Sequence, residues 1–439
     1  MEAQSNTAVC NHYPAPENHI ANDPTPKDQA IYVPSVSPGF ATDVYAQNWK
    51  RELPKGVGSG DLNFLDTNNK LMGISHALTS AGQSMNQRKP CIINQRDRNA
   101  TLIIGDSGGY QISTGRMHIN GNQDRLNILR WLEETCDVAM TLDVPTGSRK
   151  KPGSKYYGKS NADCLKDTIE HLDFFQEHRV PGKIRWLNVL QGNNVRDSDD
   201  WYAAVKHYDF EGWAFAGYLR HDFFHFCRRL LEMCDDNLLQ NKSWIHVLGT
   251  NELEAAILLT AFQRAINRHI NPNLRISYDT STPFRNLAWN NMFTLPTFDA
   301  NTMTLPTRKA PDGLEFVGSQ VKWPWPSALG NHMVMGDFCV PPGPNGQRHR
   351  DTQSNHYFAY HNVSALTWSI ATANRVFDAE NINHEHTIAK PVGAAVEAIE
   401  NIFASGGSRQ VLNKYHVTFN NLRHGSAPIL ADEDRDFNF

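Results

Sequence analysis

From residue 31 to about 280, short runs rich in β-branched and aromatic residues alternate with longer amphipathic stretches, and nothing else in the chain constrains its fold as strongly. Strict succession of this kind builds βα units, whose strands lie parallel in one sheet. The runs are IYVP (31–34), KLMGIS (70–75), TLIIGD (101–106), VAMTLD (138–143), IRWLNVLQ (184–191), GWAFAG (212–217), WIHVLG (244–249) and RISYD (275–279). Between the fourth and fifth runs, Leu165, Ile169, Leu172 and Phe175 fall on one helical face. Another helix is expected to open at Thr250-Asn251, with Glu254 in the capping-box position and Leu253, Ile257 and Phe262 along its apolar side. Eight parallel strands with crossover helices close most naturally into a (β/α)₈ TIM barrel, so the expected fold is α/β.

The pattern changes outside this region. Residues 1–30 carry little periodicity and read as an N-terminal arm, leaving 31–290 for the barrel. Residues 291–430 begin rich in Pro, Gly and Asn, then regain helical character in HYFAYHNVSALTWSIATANRVFD and KPVGAAVEAIENIFAS. They read as a loop-rich wrap followed by a C-terminal helical appendage packed on the barrel. The tail ADEDRDFNF (431–439) is acidic and is expected to stay unfolded.

Composition narrows the function classes. The chain of 439 residues is 40% hydrophobic and 20% charged, with no apolar run long enough to span a bilayer, so no membrane role is expected. The start of the sequence lacks the basic and apolar parts of a secretory signal, so a cytoplasmic location with reduced thiols is expected. The seven cysteines are scattered and form no C-x-x-C pair. A net charge of −4 argues against coating nucleic acid by bulk charge and leaves local patches. The best such patch is GSRKKPGSKYYGKS, where Arg149, Lys150, Lys151, Lys155 and Lys159 flank Tyr156 and Tyr157; it reads either as a phosphate-and-base contact or as a solvated surface loop. A smaller cluster is Arg88, Lys89, Arg96 and Arg98.

Candidate site residues follow from the strand ends. Asp106, Asp143, Gln191, Gly217, Gly249 and Asp279 each lie at or beside the C-terminal end of a different run. In a (β/α)₈ barrel those ends share one mouth, where active sites are built. Asp and Gly also terminate strands for purely local reasons, which accounts for any one of them but poorly for all six together.

Asp106-Ser107-Gly108-Gly109-Tyr110-Gln111 resembles the D-S-G-G-[FY]-Q hallmark of the tRNA-guanine transglycosylase superfamily. Further resemblance runs in order along the chain through His76 in ISHAL, Asp143 in MTLDVP, Gln191-Gly192, Ala216-Gly217, VLGTNELEAAI, Asp279 with Pro283 and Arg285, and the pair His361-Asn362. It implies a barrel enzyme that exchanges a guanine base. Asp279 would be the nucleophile and Asp106 the general acid/base, while Asp143, Gln191, Gly217, Ser107 and Tyr110 would bind the base. The position of the family's second stacking side chain falls at His246, a departure that implies a different sandwich for the base. Arg285 joins the cationic loop as a nucleic-acid contact.

The family's tRNA enzymes carry C-x-C-x-x-C and a later His on structural zinc. Here only Cys339 and His361 remain, too few to close a tetrahedral site, so no metal and no other cofactor is expected. Zinc loss, the arm, the Tyr-Lys loop and Tyr218-Leu219-Arg220-His221 in place of A-V-G-E resemble the DNA-guanine transglycosylase branch, found in phages and bacterial modification islands. That branch implies a DNA substrate, a 7-deazaguanine base such as preQ0, and partner proteins of a modification system. A divergent tRNA enzyme, a non-catalytic barrel subunit and a carbohydrate hydrolase using the same two acids remain the alternatives.

Overall fold

A computed structural model describes residues 28–250, 252–300, 302–342, 349–378 and 390–422. The arm expected over 1–30 lies outside the described residues up to residue 27, as does the acidic tail.

Eight parallel strands form a single sheet: β1 Ile31–Pro34, β2 His76–Ser80, β3 Leu102–Asp106, β4 Val138–Met140, β5 Arg185–Leu190, β6 Gly212–Phe215, β7 Trp244–Val247 and β8 Arg275–Thr280. The spatial order β1-β8-β7-β6-β5-β4-β3-β2 is that of a barrel. Its seam is stitched beyond β1, where Ser35 bridges Leu78 and the Val36 N–H donates to the Leu78 carbonyl at 2.9 Å. The expected (β/α)₈ architecture is therefore present, with a helical C-terminal part.

Period-two alternation decides which side chains fill the barrel. Ile31, Val33, Leu78, Ile104, Met140, Leu187, Val189 and Ala214 pack together as an inner core. Their neighbours Tyr32, Ala77, Ile103, Ala139, Trp186, Trp213 and Ile276 point outward into a second core under the helices. The helices around the barrel are α1 Pro38–Ala46, α2 Ala81–Ser84, α3 Gly109–Ser113, α4 Asn122–Thr135, α5 Asn161–His178, α6 Val195–Val205, α7 Phe223–Asp235, α8 Leu253–His269 and α9 Thr282–Asn290. On α5, Leu172 and Phe175 are buried and Leu165 and Ile169 partly so, as their shared face requires.

Two expectations about element placement need correction. KLMGIS (70–75) is not the second strand, which starts at His76. Leu71, Met72 and Ile74 are buried all the same, but in a loop whose backbone is satisfied locally. The Asn69 Oδ1 accepts the N–H groups of Leu71 and Met72 at 2.7 and 3.0 Å, while its Nδ2 donates to the carbonyls of Asp61 and Asn63. The helix expected at Thr250-Asn251 starts instead at Leu253 with Glu252 as N-cap. The Thr250 N–H is used elsewhere, donating to the Asp279 carbonyl at 2.8 Å, and Asn251 lies outside the described residues.

After the barrel, β9 Met292–Thr294 and β10 Thr307–Lys309 pair antiparallel. The 27-residue helix α10 (Thr352–Asp378) is buried along most of its length, and α11 (Lys390–Ala404) packs on α8. Among the described residues no helix is long and apolar enough to cross a membrane.

Candidate active site

Parallel strands point all their C-terminal ends at one rim, so the acids ending β3 and β8 are brought to the same mouth by topology alone. Asp279 stands two residues beyond Ser277 on β8 and so shares its face, the face that looks into the barrel. Its Oδ1 accepts the Gly249 N–H at 2.8 Å and lies 3.3 Å from His246 Nε2. Asp279 is buried, at 8% exposed.

Asp106 is the last residue of β3 and is in register with Ser80, the last residue of β2. The Ser80 hydroxyl donates to Asp106 Oδ2 at 2.7 Å. Burial pushes the Asp106 carboxyl above its ordinary range; the Ser80 hydroxyl and the Gly108 N–H oppose this, the negative charge of Asp279 adds to it, and His246 opposes it weakly. Asp106 thus lies within electrostatic reach of both Asp279 and His246.

Asp143 follows β4 by three residues, past the end of the strand expected to contain it. Its Oδ2 accepts from Gln191 Nε2 at 2.8 Å. Burial drives its carboxyl up to about 7, against the Gln191 hydrogen bond and with help from the charge of Asp106. The Asp-Ser-Gly-Gly turn lies against it, for a methyl group on Gly109 would sit 3.2 Å from Asp143 Oδ1. Gly108 turns the chain there at φ +97°, which a side chain would strain. Gly217, at φ +60°, is pressed onto the Gly192 carbonyl and Gln191 Oε1, so it belongs to the same rim. Asp143, Gln191, Gly217 and the Asp-Ser-Gly-Gly turn thus share one stretch of the rim, and Asp106 is linked electrostatically to Asp143 on one side and to Asp279 on the other.

Other expected site residues have more specific surroundings. Ser107 is fully buried and donates to the Thr141 carbonyl at 3.1 Å, joining the ends of β3 and β4. Tyr110, half-buried on α3, carries Lys151 Nζ at 4.6 Å from its ring centroid, which brings one lysine of the cationic loop to the mouth. His246 is 0% exposed with Nδ1 2.8 Å from Ser277 Oγ, so its ring offers no face for a base to stack on. Arg285, on α9, donates to Ser281 Oγ at 3.2 Å just past β8.

The cationic loop divides. Lys150 is exposed, whereas Arg149 is committed to Asp197 at 3.4 Å and to the Lys159 carbonyl at 3.1 Å. Lys155 pairs with Asp167 at 3.2 Å. Tyr156 is 3% exposed and its hydroxyl donates to Asp167 at 2.7 Å, so it is a packing residue; Tyr157 is the ring that solvent reaches, at 58%. Of the second cluster, Arg96 pairs with Asp137 at 2.6 Å immediately before β4, at the opposite end of the barrel.

His361 and Cys339 hold structure. The His361 ring is 3.0 Å from the Thr294 carbonyl and 2.8 Å from Ser327 Oγ, and burial pushes it down to about 4. Asn362 accepts the Thr294 N–H at 2.8 Å and donates to the Pro283 carbonyl at 3.0 Å, tying α10 to the segment after β8. Cys339 Sγ donates to the Pro311 carbonyl at 3.5 Å. Among the described residues no three His, Cys, Asp or Glu side chains gather as a metal site would require.

Ser80, Trp244 and Ser277 escaped the sequence reading. Ser80 was hidden because the second strand was placed six residues early; once β2 is aligned with β3, its register with Asp106 exposes it. Comparison with known proteins adds no identification: no protein-family model matches this chain, and no curated protein matches it significantly.

Proposed function

We propose that this chain is a base-exchange transglycosylase that replaces guanine in DNA with a 7-deazaguanine such as preQ0, through a covalent aspartyl intermediate. The observation that carries this is the meeting of Asp106 and Asp279 at one barrel mouth, with the Asp143–Gln191 pair coupled to Asp106. Cleaving an N-glycosidic bond develops positive charge at C1′, which a carboxylate on the far face can trap. Asp279 attacks C1′, the C1′–N9 bond breaks, and its electron pair leaves with the purine. Asp106, raised toward its protonated form, gives that purine a proton. The incoming base then loses its N9 proton to Asp106 and displaces Asp279, so two inversions give net retention. The ester keeps the bond energy, and the exchange needs no cofactor.

Asp143 supplies the acceptor that the N1–H and exocyclic amine of guanine require, and the backbone N–H of Gly217 suits O6. Lys151 beside Tyr110 and the exposed Lys150 that precedes it favour a phosphate backbone laid across the same rim. The target base must leave its stack to reach buried acids, which favours single-stranded or flipped substrate.

The test is incubation with DNA or tRNA and radiolabelled guanine or preQ0, beside Asp279→Ala. Label is expected in DNA and not in tRNA, with the variant inert. Label in tRNA alone would make it a tRNA enzyme, and label in neither would refute base exchange.

A further inference from the structure

We propose that His246 is a positioning residue for Asp279, and that Trp244 and Ser277 hold its ring so that Nε2–H points at one carboxylate oxygen. The role of Asp279 as nucleophile rests on the proposed function; the hydrogen-bond chain rests on geometry alone.

His246 on β7 is in register with Ser277 on β8, and both face the barrel interior without any solvent exposure. The Trp244 indole can only donate, and its Nε1 lies 2.7 Å from Ser277 Oγ. Ser277 therefore accepts from Trp244, and its oxygen also lies 2.8 Å from His246 Nδ1. A carboxylate only accepts, so the neutral ring carries its proton on Nε2, 3.3 Å from Asp279 Oδ1, and Nδ1 accepts the Ser277 hydroxyl proton. A protonated ring would leave the same Nε2–H on the same oxygen, because an ionised carboxylate only accepts.

Oδ1 then holds two donors, His246 Nε2–H and the Gly249 N–H at 2.8 Å, while Oδ2 accepts no hydrogen bond from the described residues. The two donors fix the rotation of the carboxylate and leave Oδ2 to attack. Once Oδ2 is esterified at C1′, Oδ1 becomes the carbonyl oxygen of the ester and keeps both donors. When the incoming base displaces the ester, negative charge returns to the carboxylate with Oδ1 already hydrogen-bonded, and such preorganised donors favour departure. A buried histidine with a purely structural role would need neither this direction nor this partner.

The experiment compares His246→Leu, His246→Gln and Ser277→Ala in the full chain, using a guanine-containing single-stranded oligodeoxynucleotide and labelled guanine. His246→Leu should lower kcat about 10- to 100-fold with KM for the oligonucleotide within twofold, a size typical of losing a group that orients a reacting one. His246→Gln, whose amide N–H reaches the same oxygen, should recover most of that loss, and Ser277→Ala, which leaves the ring in place but untethered, should lose several-fold. Unchanged kcat in His246→Leu, or no recovery in a folded His246→Gln, would overturn the proposal. The ¹⁵N resonances of labelled histidine give a second readout that needs no activity. A protonated Nε2 whose signal shifts in Asp279→Asn is expected, and a signal indifferent to Asp279→Asn would overturn the pairing. Absence of exchange by the unaltered protein would instead defeat the proposed function, leaving the resonances to judge the pairing.

Discussion

Replacing Asp143 by Asn should make the protein more stable at neutral pH, and the gain should vanish in acid. The carboxyl is 5% exposed, and burial drives it from 3.8 up to about 7. A group that binds its proton more tightly when folded favours the folded state below its unfolded value and loses that contribution as pH rises through the folded one. The contribution is fully present below about pH 4 and gone above about pH 7. At about 1.4 kcal/mol for each pH unit, the gap between 3.8 and about 7 sets an upper limit of about 4 kcal/mol. The asparagine carries no charge, and its side-chain oxygen can still accept from Gln191 Nε2, the bond that spans 2.8 Å in the unaltered protein. The charge of Asp106 adds to the rise at Asp143, so relief of that repulsion is part of the same gain. Urea unfolding of the two proteins between pH 4 and pH 8 measures the effect. The variant should gain on the parent by about 2–4 kcal/mol across that range, and a difference constant to within about 0.5 kcal/mol would refute the burial argument. In the proposed function, the strain of an ionised Asp143 is relieved by the N–H groups of a bound guanine, so its cost to the empty protein serves recognition.

Gly217→Ala would place a methyl group 2.4 Å from the Gly192 carbonyl oxygen at φ +60°, and should destabilise the protein by about 1–3 kcal/mol while disturbing the rim; an equally stable and active variant would show that the turn relaxes freely. Replacing Lys150 and Lys151 together by Ala should flatten the salt dependence of DNA affinity by about 2 in the logarithmic slope, as two lost phosphate contacts would. Tyr156→Phe should leave that affinity within twofold and cost about 1 kcal/mol in urea unfolding, because its hydroxyl is spent on Asp167. A larger loss of DNA binding from Tyr156→Phe than from the lysine pair would reverse the division of this loop.

Much of this molecule is written in local patterns. Strand ends and period-two alternation are properties of a few consecutive residues, so the runs ending at Asp106 and Asp279 could be found, and the barrel inferred from their number and spacing. Asp143 and Gln191 were legible for the same reason, although β4 stops three residues short of Asp143. The apolar run 70–75 misled because burial does not distinguish a strand from a loop. Asn69, acting through its side chain, satisfies two amides of that run that a strand would have offered to a neighbour.

What closure of the barrel decided is partnership between distant residues. Tyr156 and Arg149 read as free contacts for nucleic acid until the fold set Asp167 and Asp197 beside them. His246 read as a stacking ring until β7 and β8 paired in a register that turned it toward Ser277 and Asp279. Composition and periodicity say which face a side chain will occupy. Which group waits for it there depends on strand register and chain crossing, and these are set only when the whole sheet closes.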